Sequence, residues 1–301
     1  MTETLLQGDC MKLLPTIKSD SIDLILCDPP YGTIKGLEIN SWDNTKTAWD
    51  NPLPTEPLFK EYGRILKLNG ALILFSQEPY THQLRSFKDP NLKFAYPFYW
   101  LKNDFANPLF SKKAPVNYIE DLSVWRKKYD TNLTNPLRKY AQTILNYTHK
   151  TSKDFERDFN SRCMEHFFGI KGKEFSLPTE KNYQRLCERY DLMKMRGYLD
   201  YQTMKAIHRS HFPIFNLNGE KKVSNVLQYS KPSKRYHPTQ KPVELLQFLI
   251  KTYTNEGMTV LDNCMGSGST GVAAKQLNRN FIGMELDKEY FEIAKQRIEN
   301  A

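Results

Sequence analysis

Residues Ile22 to Cys27 (IDLILC) form a short apolar run that stops at Asp28-Pro29-Pro30, and no other feature narrows the fold of this chain as sharply. Six residues with a single charge, stopped by two prolines just beyond, match a strand buried on both faces, as in a parallel sheet. Parallel strands need crossover connections, so helices are expected around it. The spacing of Leu58, Tyr62, Ile65 and Leu66 predicts a helix over Pro57 to Leu68, ended by Asn69-Gly70, with a second buried strand at Ala71 to Phe75 (ALILF). A helix over Tyr80 to Phe87 and a strand over Phe94 to Leu101 follow.

The far end of the chain repeats this alternation. Pro242 opens a helix whose apolar stripe is Val243, Leu246, Leu249 and Ile250. Next come a strand at Thr259 to Leu261, a glycine-rich turn, a helix from Ser269 to Leu277 and a strand at Phe281 to Met284. An acidic pair, Glu285 and Asp287, precedes the final helix. The expected class is α/β: a doubly wound, mostly parallel sheet with right-handed crossovers.

Between these halves, residues 104–230 have few strand-like runs and many aromatic and basic residues. They read as an inserted, mainly helical module, with helices over Asp154 to Phe168 and Glu180 to Lys194. Charge concentrates here. Residues 125–235 hold 23 Lys and Arg against 11 Asp and Glu, a balance of +12 in a chain that totals +9, so the rest sums to −3. A basic segment suits a polyanion, because each neutralised phosphate releases counterions; a merely solvated face is the alternative.

With 301 residues and 40% hydrophobic content, the chain can build one large core and an appendage. The opening MTETLLQGDCMKLL lacks the basic start and apolar stretch of a signal peptide, and no run approaches the roughly 20 apolar residues of a membrane span. Five scattered cysteines (Cys10, Cys27, Cys163, Cys187, Cys264) lack metal-binding spacing and are expected to be reduced thiols. These features lead to the expectation of a cytoplasmic protein without a metal.

Three motifs carry chemistry. Asp28-Pro29-Pro30-Tyr31 stands at the carboxyl end of a strand, where open α/β sheets place their sites. Its prolines hold a carboxylate and a carbonyl at a set spacing, and the tyrosine can stack on a flat substrate. That arrangement suits an amino group on a heteroaromatic ring, whose delocalised lone pair needs acceptors on its hydrogens to become reactive. The second motif, Asp262-Asn263-Cys264-Met265-Gly266-Ser267-Gly268-Ser269-Thr270-Gly271, lies between strand and helix, with Glu285 on the next strand to grip ribose hydroxyls. It lacks the Gly-Lys-Ser/Thr of a phosphate loop, so an adenosyl cofactor without phosphates fits better. The third is His237-Pro238-Thr239-Gln240-Lys241-Pro242.

In this order, the three motifs resemble the beta class of amino-group DNA methyltransferases over roughly residues 1–103 and 231–300. The resemblance implies a methyltransferase domain of 1–103 and 231–301, a DNA-binding target-recognition insert of 104–230, and S-adenosylmethionine as cofactor. It implies a catalytic set of Asp28, Pro29, Pro30 and Tyr31. Cofactor residues implied are Asp9 and Cys10 of Gly8-Asp9-Cys10, Asp28, His237, Thr239 and Lys241, Asp262, Gly266, Ser267, Gly268, Ser269 and Thr270, with Glu285 and Leu286 at the ribose. In the family, Asp at the first motif position accompanies adenine, whereas the cytosine enzymes usually carry Ser. Many relatives read Asp-Pro-Phe where this chain has Asp262-Asn263-Cys264. The resemblance also places Trp49-Asp50 on a loop near the site and Tyr99 to Asn103 in a motif whose aromatic residue can meet the base, with a core role for Trp49 and Trp100 as the alternative.

The implied partner is double-stranded DNA, with phosphates and bases met by Arg126, Lys127, Lys128, Arg185, Arg189, Arg196, Lys234 and Arg235. A homodimer and a cognate restriction endonuclease are further expectations by analogy. The rival readings are methylation of a cytosine amino group, of RNA or of a protein glutamine, and a silent nucleic-acid-binding protein. Glutamine enzymes use a related Asn-Pro-Pro-Tyr motif but carry the cofactor loop first, opposite to the order here.

Overall fold

The computed structural model describes residues 2–33, 50–106, 112, 115–127, 135–170, 175–234 and 236–301. The chain divides into two compact units: Met1–Lys128 with Pro213–Ala301, and Tyr129–Phe212.

The first unit is built on a sheet of, among the described residues, eight strands: β1 (Glu3–Gln7), β2 (Ile22–Cys27), β3 (Leu66–Ser76), β4 (Leu92–Ala106), β5 (Asn117–Lys127), β6 (Val226–Gln228), β7 (Thr259–Asp262) and β8 (Asn280–Glu285). Their order is β1-β8-β7-β2-β3-β5-β4-β6. The pairs β1–β8, β8–β7, β7–β2 and β2–β3 are parallel, as is β4–β6. Only β5 runs antiparallel to its neighbours, β3 and β4. The expected doubly wound, mostly parallel class is what the sheet shows.

Helices α1 (Cys10–Leu13), α2 (Thr55–Ile65) and α3 (Tyr80–Ser86) precede the second unit, and α9 (Val243–Tyr253), α10 (Ser269–Gln276) and α11 (Lys288–Glu299) follow it. Strand side chains alternate between faces. Ile25, Leu72, Leu74 and Trp125 therefore pack with Leu58, Phe59 and Tyr62 of α2 and with Tyr80 and Leu84 of α3. Leu24, Leu26, Ile73, Phe75, Leu122 and Val124 pack on the other face with Leu245 and Leu249 of α9, Ala273 of α10 and Ile298 of α11.

The second unit is helical: α4 (Leu137–Thr148), α5 (Ser152–Phe159), α6 (Arg162–Phe168), α7 (Glu180–Tyr190) and α8 (Tyr201–Ser210). Its own core gathers Ile144, Phe155, Phe167, Phe168, Tyr183 and Leu186. The single helix expected over Asp154 to Phe168 is two, because Asn160 adopts a left-handed φ of 43° and ends α5. Asp191, at φ 51°, likewise ends α7 before the expected Lys194.

Two boundaries differ from the sequence reading. The insert is not 104–230 but Tyr129–Phe212, because residues 117–127 and 226–228 are strands of the sheet. Asn69-Gly70 does not end α2, which stops at Ile65; it lies inside β3, where Asn69 is left-handed at φ 73° and the pairing with β2 shifts register.

The turn between β7 and α10 has little room. Gly268 sits at φ +80°, and a Cβ there would lie 2.9 Å from the Ala294 Cβ of α11. Gly268→Ala is therefore expected to destabilise the protein by about 1–3 kcal/mol, through strained backbone and overpacking together. Chemical denaturation reads this as a lower midpoint; a wild-type midpoint would contradict the packing.

Candidate active site

The strands β2, β7 and β8 point the same way, so their carboxyl ends bring Asp28, Asp262 and Glu285 to one edge of the sheet. The winding reverses between β2 and β7, and such a switch point opens a crevice for a ligand. Because β5 runs antiparallel to β3, its beginning lies at the same edge, where Asp121 pairs with Ser76. Glu120, Leu122 and Val124 alternate onto one face of β5, so a carboxylate is carried into the edge by an otherwise apolar stripe.

Asp28 meets Lys241, from the loop before α9, in an ion pair. Lys241 also reaches Glu120 Oε1 at 2.8 Å, and Lys102 of β4 reaches Glu120 Oε2 at 3.0 Å. The Tyr31 hydroxyl donates to Asp28 and lies 2.9 Å from Glu120 Oε1. Lys102, Glu120 and Lys241 are all buried. Burial would raise Glu120, but Lys241 and Lys102 outweigh it and pull its pKa down to about 2. At Asp28 burial wins over Lys241, with Glu120 adding to the rise, and the carboxyl is held above its ordinary value. Lys241 is raised: Asp28 and Glu120 outweigh the burial that would lower it.

Asp50 fixes the turn itself. It is buried, and its Oδ1 accepts from the Tyr31 N–H at 2.8 Å and the Gly32 N–H at 2.9 Å. The ring of Tyr31 stacks beside Tyr80, with centroids 6.1 Å apart.

The glycine-rich turn follows β7. Glu285 accepts from the Gly266 N–H at 2.8 Å and the Asp287 N–H at 2.9 Å, and burial raises its pKa. Asp262 accepts from the Cys264 N–H at 3.1 Å and from Thr270, and burial pushes it up to about 7. Ser267 and Ser269 are buried against Arg297, whose Nη1 lies 2.9 Å from Ser267 Oγ and 3.3 Å from Ser269 Oγ. His237 packs edge-on to Tyr290 at 4.3 Å, and burial, helped by Lys241, lowers it to about 4, so it is neutral at pH 7. Two carboxylates beside small buried hydroxyls, with the Lys241 ammonium committed elsewhere, suit a diol and an amino group better than phosphates.

Several expected residues have other work in the structure. Lys241, expected among the cofactor ligands, is bound to Asp28 of the first motif and to Glu120. Asp9 caps α1 by accepting from Met11 N–H at 2.9 Å. Cys10 is buried, while Thr239 and Leu286 are exposed. Asn263, in the departure from Asp-Pro-Phe, is buried and accepts from the Tyr62 hydroxyl at 2.7 Å, so the change leaves no unmet polar group there. Burial pushes the Cys27 thiol up to about 12, an unreactive state. Trp100 is a core anchor, buried with its indole N–H donating to Tyr229 O at 2.7 Å.

Among the expected DNA contacts, Arg126 is engaged within the sheet unit, donating to Ile214 O at 2.9 Å and lying over the Tyr253 ring. Lys127 is bound to Asp20 and Leu66 O. Both are removed from the set, because each head is held by an internal acceptor, and the Arg126 Nη1, which has no partner of its own, is buried away from solvent. Arg185, Arg189, Arg196 and Lys234 are exposed, Arg189 pairing with Asp158 at 3.1 Å. Trp49, Lys128 and Arg235 lie outside the described residues. Among the described residues, no helix is long and apolar enough to cross a membrane, and no group of three or more His, Cys, Asp or Glu is arranged to hold a metal.

Glu120 was not foreseen as a site residue; Asp50 was expected only on a loop near the site, and Lys102 only within the motif Tyr99 to Asn103. The signal for Glu120 was present as period-two alternation over Glu120, Leu122 and Val124.

A family model described as DNA methylase matches residues 22–296. The Type II methyltransferase M.HinfI of Haemophilus influenzae is 25% identical over 98% of this chain and 68% of its own length. Type II methyltransferase M2.DpnII of Streptococcus pneumoniae is also 25% identical, over 98% of this chain and 89% of its own. Among solved structures, the cytosine-N4-specific PvuII DNA methyltransferase aligns over 99% of this chain and 86% of its own with a TM-score of 0.59 at 15% identity. The M1.HpyAVI–SAM complex aligns over 98% and 100% with a TM-score of 0.53 at 21% identity. Both likenesses establish the fold.

The raised Asp262 yields a stability prediction. In the unfolded chain this carboxyl ionises near its ordinary value of 3.8, whereas in the folded protein it ionises at about 7. Between these values the folded state holds the extra proton, so stability falls as pH rises through the window. Asp262→Asn is expected to gain stability over wild type progressively from pH 4 to pH 7, by on the order of 4 kcal/mol at full development, with a constant gap above. Denaturant midpoints across this range test it; a pH-independent gap would contradict the buried, proton-holding carboxyl.

Proposed function

The chain belongs to the DNA methylase family, and on that premise we propose that it methylates the exocyclic amino group of adenine in double-stranded DNA, at a specific site. The observation that carries the reading is the Asp28 carboxylate at the carboxyl end of β2, alongside the glycine-rich turn.

Asp262, Glu285 and the Gly266–Gly268 turn are the residues suited to hold S-adenosylmethionine, with the loop of His237 and Thr239 beside them. Bound there, the cofactor supplies an electrophilic methyl group. A base within a duplex cannot present its amino group to such a pocket, so it is flipped out, which costs a few kcal/mol. Half-buried Tyr31 offers it a stacking surface. Asp28 and the Pro29 carbonyl accept from its amino hydrogens and draw electron density onto the nitrogen. The bond broken would be that from the methyl carbon to sulfur, whose electron pair would leave with a neutral thioether, so the nitrogen that gains the methyl becomes positive and must shed a proton. Asp28, the carboxylate in reach whose pKa is raised, takes it. Positioning and charge stabilisation thus carry the catalysis.

Adenine rests on Asp28. The fold does not choose the base, since the cytosine-N4 enzyme from the structural comparison shares it. The helical unit Tyr129–Phe212 is the target-recognition module in this reading, and exposed Arg185 and Arg196 are its phosphate contacts.

One variant with two readouts tests the assignment. Asp28→Ala is expected to lower methyl transfer to DNA by at least about 100-fold, as loss of a transition-state partner does. Calorimetric affinity for S-adenosylmethionine should stay within about threefold, because that variant leaves Glu285 and Asp262 in place. Transfer within tenfold of wild type would end the assignment.

A further inference from the structure

Glu120 has no place in the sequence motifs, yet it is the centre of the buried charges beneath Asp28. Its Oε1 accepts from Lys241 at 2.8 Å and from the Tyr31 hydroxyl at 2.9 Å, and its Oε2 accepts from Lys102 at 3.0 Å. Lys241 also pairs with Asp28, so two carboxylates share one ammonium. A second ammonium, Lys102, balances the second carboxylate and lies over the Trp100 ring at 5.4 Å. The four charges sum to zero, the condition under which buried ions are tolerable.

A lone Lys241–Asp28 pair would turn the ammonium wholly onto Asp28, lower its basicity and occupy the lone pairs a target amino group needs. A second carboxylate removes part of that grip. We propose that Glu120 is a positioning residue for methyl transfer, dividing Lys241 and the Tyr31 hydroxyl between two carboxylates so that Asp28 remains a basic acceptor for the target amino group. Lys102 is its counter-ion and completes the device.

The two carboxylates are driven apart: Glu120 is pulled down to about 2 and stays a fixed anion, while Asp28 is raised. Opposed carboxylates of this kind divide their roles, and here the proton-taking role falls to Asp28. The groups facing Asp28 are Tyr31 from its own turn, Lys241 from the loop before α9, Glu120 from β5, with Lys102 from β4 behind it, and Asp262 and Cys27 at the ends of β7 and β2. Beside burial, which raises Asp28 most, Lys241 and the Tyr31 hydroxyl lower it and Glu120 raises it.

This inference rests on the amino-group reading above, and two readouts on the full-length protein separate their failures. One is the pH profile of kcat for methyl transfer to DNA. The other is the titration of the Asp28 carboxyl by carbon-13 NMR of Asp-labelled protein, assigned by its loss in Asp28→Asn. Glu120→Gln is expected to move both the acidic limb and the Asp28 midpoint down by about one pH unit. It should lower kcat about tenfold or more, with KM for S-adenosylmethionine within about twofold. Lys102→Met removes a cation and is expected to move the midpoint up. The double variant Glu120→Gln/Lys102→Met, which restores charge balance and guards against unfolding, should fall between the two. A role confined to holding the fold would not shift the singles in opposite directions. An unmoved Asp28 midpoint in Glu120→Gln and in the double variant, or equal shifts of the same sign in both singles, would overturn the inference. Absence of transfer by the wild type would refute the methyl-transfer reading, and the carboxyl titration would still decide whether Glu120 governs Asp28.

Discussion

Two carboxylates and two ammonium groups held within hydrogen-bond reach, at the carboxyl edge of a sheet, are the constraint around which this structure is organised. Asp28, Lys241, Glu120 and Lys102 come from the turn after β2, the loop before α9, β5 and β4. No local stretch of chain can assemble them. Removing one member leaves an uncompensated charge, which in a buried setting is strongly destabilising, whereas the complete set is close to neutral in energy. The cluster therefore contributes little to holding the fold together. Its value lies in the position and basicity it imposes on Asp28.

The sheet supplies what that requires. Helices pack apolar side chains on both faces of the central strands, and the reversal of winding between β2 and β7 sets Asp28 near Asp262. Asp50 holds the Tyr31–Gly32 turn through two N–H groups, which keeps the tetrapeptide in one conformation. On the cofactor side, Glu285 is oriented by the Gly266 N–H, while Asp262 is buried at a cost in stability above neutral pH. Both places show local energy given up for chemistry, the usual character of a functional edge.

The sequence was most legible where the chemistry is local. Asp28 after a six-residue apolar strand, the turn at Gly266 to Gly268, and Glu285 at the end of the next strand could be placed because strand, turn and function are contiguous. Glu120 was not legible as a site residue, and Lys102 only as a member of Tyr99 to Asn103, because their meaning comes from antiparallel pairing of β4 with β5, a strand whose residues read as part of an insert. Strand β1 was missed for a related reason: ETLLQ is half-buried and gains its order from pairing with β8, nearly the whole chain away. Charge counting found the basic segment but could not tell a free cation from a paired one, so Arg126 and Lys127 passed for DNA contacts while serving internal acceptors. Left-handed residues at Asn160 and Asp191 cut helices that periodicity alone would continue.

Asp28 prepares one nitrogen for methylation, and the product identifies it. Nucleoside mass spectrometry of DNA treated with the protein and S-adenosylmethionine is the most direct measurement. N6-methyladenine as the sole new nucleoside is the predicted result. N4-methylcytosine, or no methylated nucleoside at all, would contradict it.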